Sequence, residues 1–172
     1  MKRSEINPLP EYFDRYINKC DDIELLDAID LSITELGNIP LDKWVSLGER
    51  KYAPGKWSVK DILQHLVDTE RIFSYRALAY ARGESQKVPS YDQDYYVRSA
   101  HSNRRSIEDL LEELKISHDS LKCLFSSFTP AMLHKMCRGF AGEYSVASVG
   151  FILPGHQRWH FEVIEEKYIQ LL

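Results

Sequence analysis

The chain has 172 residues, which is enough to bury a hydrophobic core in one domain without disulfides or a structural metal. Its 22 lysines and arginines and 26 aspartates and glutamates give a formal net charge of −4, and the basic residues are scattered, so no nucleic-acid partner is expected. No segment approaches the ~18 unbroken apolar residues of a membrane span, and the first residues lack the apolar run of an export signal. The three cysteines have no CxxC spacing, so we predict no disulfide framework and expect a cytoplasmic protein without membrane association.

Residues 1–20 carry Pro8 and Pro10 among several aromatic residues, and we expect an ordered lead-in that packs on the rest of the domain. The first helix is predicted from Asp21, a residue type suited to an N-cap, to Gly37, because the apolar residues between them recur at helical spacing. A proline soon after the glycine supports this end point.

Residues 41–57 show no sustained period and hold two glycines and a proline, so they are predicted to be a long connection with room for one turn of helix. Ser58 followed three residues later by Asp61 matches a capping box, and helical spacing of apolar residues then continues until Gly83. This pattern predicts the second helix.

Residues 84–105 form a second long connection, polar at its start and then rich in aromatic residues, of the kind that can cover the mouth of a cleft. The third helix is predicted from Ser106, with Asp109 completing its cap, to a break near Pro130. Two glycines then mark a turn before the fourth helix, which begins near Ser145.

Four helical segments without convincing period-two alternation or internal repeats predict an all-α fold. We expect a four-helix bundle with long connections that occupies residues 1–172 as a single domain. Because the connections are long, its helices need not simply run up and down.

Three histidines lie on the predicted inward faces of the second and fourth helices. His156 and His160 are four residues apart, so both rings lie on one helix face and can reach a single ion. His65 lies on a side of the second helix whose other members are apolar or small. Together the three can form a site with coordination positions open to water or substrate. The alternative is that each histidine is a core or boundary residue satisfied by one hydrogen bond, since HxxxH pairs are common on helices.

The remaining histidines, His101, His118 and His134, lack partners at such spacing and are expected to be surface or packing residues. Pro154 and Gly155 fall inside the fourth helical pattern directly before His156. A proline there usually kinks a helix, which can open space for a substrate or be tolerated without a functional role.

Three segments carry a resemblance to the DinB-like superfamily of metal-binding bundles, which includes the YfiT-like metal-dependent hydrolases and the thiol S-transferases. They are PGKWSVKDILQHLVDTE at 54–70, PSYDQDYYV at 89–97 and SVGFILPGHQRWHFEVIEEKY at 148–168. The resemblance covers most of the chain, and its motifs are more specific than HxxxH alone. Two positions depart from the family pattern, Pro154 before the glycine and Trp159 before the last histidine.

This resemblance implies that His65, His156 and His160 bind one divalent metal ion, for which zinc and nickel are the first candidates. It implies a hydrolase, or a transferase that uses a thiol, in which the ion activates water or the thiol toward a small-molecule substrate. The alternative is a non-catalytic, stress-related bundle that binds a metal or a ligand and in which the ion is structural. Related bundles often pair through helix faces, so a homodimer is also expected.

The two long connections supply the other candidate residues. Trp57, Tyr91 and Tyr95 are expected to bind an apolar portion of the substrate, and Asp92 is the candidate catalytic residue because its carboxylate can accept a proton. Ordinary loop packing is the alternative for all four.

Overall fold

Four long helices form the body of the protein in the computed structural model, which describes residues 1–139 and 142–172. The helices and strands follow in the order α1 (Asp14–Ile17), α2 (Leu25–Leu36), α3 (Leu41–Leu47), α4 (Val59–Ala81), α5 (Gln93–Ala100), α6 (Ile107–Ser126), α7 (Pro130–Leu133), β1 (Met136–Gly139), β2 (Gly142–Ser145) and α8 (Val146–Val163). The last helix continues as a π-helical turn over Ile164–Tyr168. Within the described ranges no helix is both long enough and apolar enough to cross a membrane.

Serine caps start three of the four long helices. Ser58, Ser106 and Ser145 each accept a hydrogen bond from the backbone N–H three residues later, which satisfies a donor that the helix itself leaves free. The predicted starts of these helices are therefore correct. Helix α2 begins later than predicted, after Glu24, and Asp21 instead pairs with Arg158 at 2.9 Å.

The four long helices are arranged so that α2 and α4 lie on opposite sides of the bundle. Helix α2 packs against α6 and α8, and α4 packs against the same two helices. The connection that contains α3 therefore joins helices on opposite sides, as does the connection that contains α7 and the two strands. The structure confirms the predicted all-α four-helix bundle, and its topology is not a simple up-and-down one.

Both long connections contain structure that the sequence pattern does not reveal. Helix α5 lies in the second connection, and only Val97 among its residues is buried, so no repeated apolar face marks it. Strands β1 and β2 pair antiparallel, with Met136 opposite Ser145 and Cys137 opposite Tyr144. The sequence pattern does not predict this hairpin, because four-residue strands with one buried side chain each are too short to show a period.

The lead-in packs on α8 through a close approach at Gly155. A Cβ atom at Gly155 would lie 1.9 Å from the Tyr16 carbonyl oxygen, so only glycine leaves room for α1 at this distance. Phe13 and Ile17 are buried in the core beside it. Pro154, directly before, lies within α8 rather than ending it.

A layer of buried polar groups crosses the middle of the bundle, with side chains from α4, α6 and α8 and a backbone carbonyl from α2. Glu70 contacts His118 Nδ1 at 2.8 Å, His118 Nε2 lies 2.7 Å from Gln157 Oε1, and Gln157 Nε2 donates to the Ser32 carbonyl at 3.0 Å. The layer divides the apolar interior into two clusters, one toward the hairpin and one toward α3. His118 is therefore a buried, hydrogen-bonded residue, whereas His101 and His134 are exposed.

Candidate metal centre

The three predicted histidines meet beside this polar layer. His65 on α4 and His156 on α8 are 3% and 6% exposed, and His160 lies one helical turn after His156. The His156 Nε2 atom is 3.2 Å from His65 Nε2 and 3.0 Å from His160 Nε2. The ligand atoms of all three residues lie within 4.8 Å of one another.

Convergence of three ring nitrogens on one point is the chemistry of a cation site. Two nitrogens that each lie about 2.0–2.1 Å from a tetrahedral zinc ion are about 3.3 Å apart, close to the observed separations. A neutral imidazole has a single N–H, so three facing nitrogens cannot all be satisfied by hydrogen bonds to one another. A shared cation accepts all three lone pairs, and the residues present therefore fit a divalent metal ion.

Burial keeps the three rings in the form that binds metal. Burial lowers the pKa of His65 to about 3, with a smaller contribution from the nearby His160, and burial lowers the pKa of His160 to about 4. The pKa of His156 is also lowered, first by burial and then by the other two rings. Neutral imidazoles are metal ligands, whereas imidazolium ions are not.

Carboxylates are not among the ligands that the described residues bring together. The cluster consists of histidines alone. Of the three acidic residues of α2, Asp30 accepts from Lys122 Nζ at 2.6 Å, Glu35 pairs with Arg158 at 2.7 Å, and Asp27 is exposed. Since neutral imidazoles add no negative charge, an ion held here would keep its full positive charge and attract an anion.

Thr69 and Tyr91 connect the centre to the loop that precedes α5. Thr69 lies one turn after His65 on α4, and its Oγ1 atom is 3.4 Å from His65 Nδ1 and 2.7 Å from the Tyr91 hydroxyl. Burial raises the pKa of Tyr91 although the hydrogen bond with Thr69 lowers it, so the phenol stays protonated near neutral pH. This contact orients the outer nitrogen of His65 and leaves its Nε2 facing the centre.

Aromatic rings enclose the centre on two sides. The Trp57 ring lies 4.7 Å from the His65 ring and 6.3 Å from the His160 ring, and its Nε1 donates to Asp94 at 3.1 Å. Tyr16, from the lead-in, presents its ring edge-on to His156 at 4.9 Å. These contacts limit access to defined openings.

A hollow of about 320 Å³ reaches the centre from one side. Its wall includes His65, His156, Tyr91 and Asp92, together with apolar side chains of α4 and α8. Asp92 is exposed, so the hollow opens to solvent, and one of its carboxylate oxygens caps α5 by accepting from the Tyr95 backbone at 3.0 Å.

The structure brings Trp57, Tyr91 and Asp92 to the centre but not Tyr95. The Tyr95 side chain is 59% exposed and lines a separate surface hollow with Tyr96 and Asp68. Helix α5 explains this placement, because consecutive residues of a helix point in different directions. Tyr16 and Thr69 were missed by sequence reasoning, although the position of Thr69 one turn after His65 is a signal that could have found it.

Comparisons with known proteins show the family and the fold of the chain. The model of the DinB superfamily matches residues 24–164 of the chain. The solved structure of YfiT from Bacillus subtilis, described as a probable metal-dependent hydrolase with an unusual four-helix bundle topology, is similar with a TM-score of 0.69 and 17% sequence identity. The similarity covers 95% of this chain and 89% of that one, and it concerns the fold. None of the curated proteins matches the sequence significantly.

Proposed function

Because the chain belongs to the DinB superfamily, we propose that its three-histidine cluster holds a divalent metal ion and that the protein is a metal-dependent hydrolase. The observation that carries the proposal is the meeting of three histidine Nε2 atoms, two on buried rings and one on the half-buried His160, beside a hollow that opens to solvent, with no carboxylate in the cluster among the described residues. A structural ion would need a closed set of protein ligands, and the described residues supply three.

A bound divalent ion would supply Lewis acidity, which lowers the pKa of a nearby water or thiol and polarises an electrophilic group of the substrate. The remaining tasks fall to the chain. The rings of Tyr16 and Trp57 shield the centre from bulk water and bind an apolar portion of the substrate. Asp92 lies in the wall of the hollow and accepts the proton that the nucleophile releases. The Tyr91 hydroxyl, held by Thr69, can donate a hydrogen bond to substrate.

The proposal includes a cytoplasmic location. Cys20, Cys123 and Cys137 are free thiols, and two of them are buried. Free thiols suit a reducing compartment. The second candidate activity is transfer to a thiol. A thiol can replace water as the nucleophile, because thiols and water both bind divalent ions of this kind.

Metal analysis of protein purified without a histidine tag tests the metal. We expect about one equivalent of zinc or nickel in the wild type, loss of that metal in His160→Ala, and retention in His134→Ala, a matched control with an exposed histidine outside the centre. Equal metal content in the two variants would contradict the proposal.

Cobalt substitution tests whether the ion has a free coordination position. Azide or a small thiol should change the visible spectrum of the cobalt protein, because the described residues supply three ligands. Hydrolysis of a panel of activated esters should depend on added metal and disappear in His160→Ala. A spectrum that no added ligand changes, together with no hydrolysis, would show that the ion is structural.

A further inference from the structure

A second hollow, of about 630 Å³, lies next to the metal centre and is rich in positive charge. Four basic side chains line it: Lys51, Lys56, Arg98 and Arg104. We call this space the basic hollow. A concentration of cations is unexpected on a chain whose formal net charge is −4.

None of these four cations forms an ion pair within the described part of the chain, and Lys56 lies over the Tyr52 ring at 5.7 Å. The neighbouring Arg105, by contrast, pairs with Asp109 at 2.6 Å and also with Glu113. Like charges gathered in one hollow repel one another, and a bound anion relieves that repulsion.

The two carboxylates in the wall of the basic hollow already have partners. Asp61 is 8% exposed and accepts from the Ser58 backbone at 2.9 Å and from the Ser102 hydroxyl. Asp94 accepts from Trp57 Nε1 at 3.1 Å. These donors are neutral, so both carboxylates keep their negative charge, and the four cations exceed them by two positive charges.

The backbone around His101 places two of the arginines on the same wall. Helix α5 ends at His101, whose φ of 52° lies in the left-handed region that residues other than glycine enter infrequently. The chain reverses there and enters the turn Ser102–Arg104, so Arg98, before the reversal, and Arg104, after it, both reach the basic hollow. The local conformation thus gathers charges that are six positions apart in the sequence.

A third hollow, of about 390 Å³, links the basic hollow to the metal centre. Its wall includes His160, and it shares Lys56, Trp57 and Asp94 with the basic hollow. A molecule that extends past Trp57 can therefore lie near His160 at one end and near the cations at the other.

From this arrangement we infer that the substrate carries an oxyanion, either a carboxylate or a phosphate, that the basic hollow holds while the reacting bond lies at the three histidines. The inference rests on the proposed function for the role of the anion in catalysis. Binding of the anion itself requires only the four cations, so it can be tested on metal-free protein.

Titration of ¹⁵N-labelled, metal-free protein with inorganic phosphate, and separately with citrate, tests the binding. We expect saturable shifts of the backbone amides of residues 98–104, and an affinity that falls as sodium chloride is added. In the double variant Arg98→Gln/Arg104→Gln the dissociation constant should rise at least about fivefold, because two exposed charge contacts are lost. The matched control, Arg82→Gln/Lys87→Gln, removes the same charge from exposed residues that do not line the basic hollow and should bind as the wild type does.

Saturation by phosphate alone or by citrate alone assigns the class of oxyanion. Absence of saturable shifts with both anions in the wild type, or equal dissociation constants in the two double variants, overturns the inference. Kinetics of metal-loaded protein test the role of the anion in catalysis. We expect a lower KM for p-nitrophenyl esters that carry a free carboxylate than for the same esters with that carboxylate methylated. Arg98→Gln/Arg104→Gln should abolish this difference in KM without changing kcat. If no ester is hydrolysed while the anions still bind, the proposed function fails and the anion site stands.

Discussion

Replacement of Gly155 by alanine sets two effects of opposite sign against each other. In a helix interior alanine is favoured over glycine by about 1 kcal/mol, so helix propensity alone predicts a more stable protein. The structure predicts the reverse. A Cβ atom at this position would lie 1.9 Å from the Tyr16 carbonyl oxygen and 2.5 Å from its carbonyl carbon, and both are backbone atoms that cannot rotate away.

Relief of this clash requires α1 to move away from α8 by about 1.5 Å, the difference between 1.9 Å and an ordinary contact. Overpacking of this kind costs about 1–3 kcal/mol or more. The movement also disturbs the hydrogen bond from Cys20 to the Phe151 carbonyl, 3.2 Å long, and the contact of Tyr16 with His156. We expect Gly155→Ala to lower the free energy of unfolding by about 2 kcal/mol, and the affinity for metal to fall with it.

Urea unfolding of metal-free protein, followed by circular dichroism, measures the effect. Gly37→Ala is the matched control, because a Cβ atom there meets only the Thr34 carbonyl oxygen at 3.5 Å and the backbone φ is −78°. That variant should be as stable as the wild type or up to about 1 kcal/mol more stable. If Gly155→Ala is also as stable as the wild type, the close approach of α1 to α8 is wrong.

Three further predictions follow from the buried polar groups. Glu70→Ala should lower the free energy of unfolding by about 3–5 kcal/mol, because it leaves His118 buried without its carboxylate; an unchanged urea midpoint would contradict the pairing. Burial alone would lower the pKa of His118, but Glu70 raises it above its ordinary value, so the stabilisation that comes from protonated His118 is present below about pH 6.5 and is lost as pH rises through the folded-state pKa of His118; Glu70→Ala should abolish that loss in urea titrations at increasing pH. The three site histidines have lowered pKa values, so the free energy of unfolding of metal-free protein should fall by about 1.4 kcal/mol per pH unit per histidine as pH falls below about 6.5. In His160→Ala this dependence on pH should be shallower. Identical slopes in the variant and the wild type would exclude the neutral cluster.

The fold was predictable where local signals act alone. A serine followed by a helical period marks the start of α4, α6 and α8, because the cap and the helix it satisfies are adjacent in sequence. The hairpin and α5 were missed because each buries too few side chains to produce a period. The spacing of His156 and His160 places their rings together for the same local reason that the caps work.

The rest of the centre depends on contacts between distant segments. Tyr16 lies 140 residues before His156 in the sequence and reaches it only because Gly155 allows α1 to approach. No spacing rule relates residues of the lead-in to residues of the last helix. In the same way, the partner of His118 is on another helix, so its burial and charge could not be read from α6 alone.

The polar layer fixes how far each helix can slide along the bundle axis. Apolar side chains of similar size tolerate a shift of one helical turn, because leucine against leucine is little changed by translation. The contacts from Glu70 to His118 and from Gln157 to Ser32 do not tolerate such a shift. A displaced helix would separate these partners and leave their polar atoms buried among apolar side chains without hydrogen bonds. His156 is the immediate neighbour of Gln157, and His65 lies five residues before Glu70 on the same helix. The layer therefore fixes the position of each helix along the bundle axis. Substitutions that repack either apolar cluster will leave unchanged the axial distance between the layer and the three site histidines.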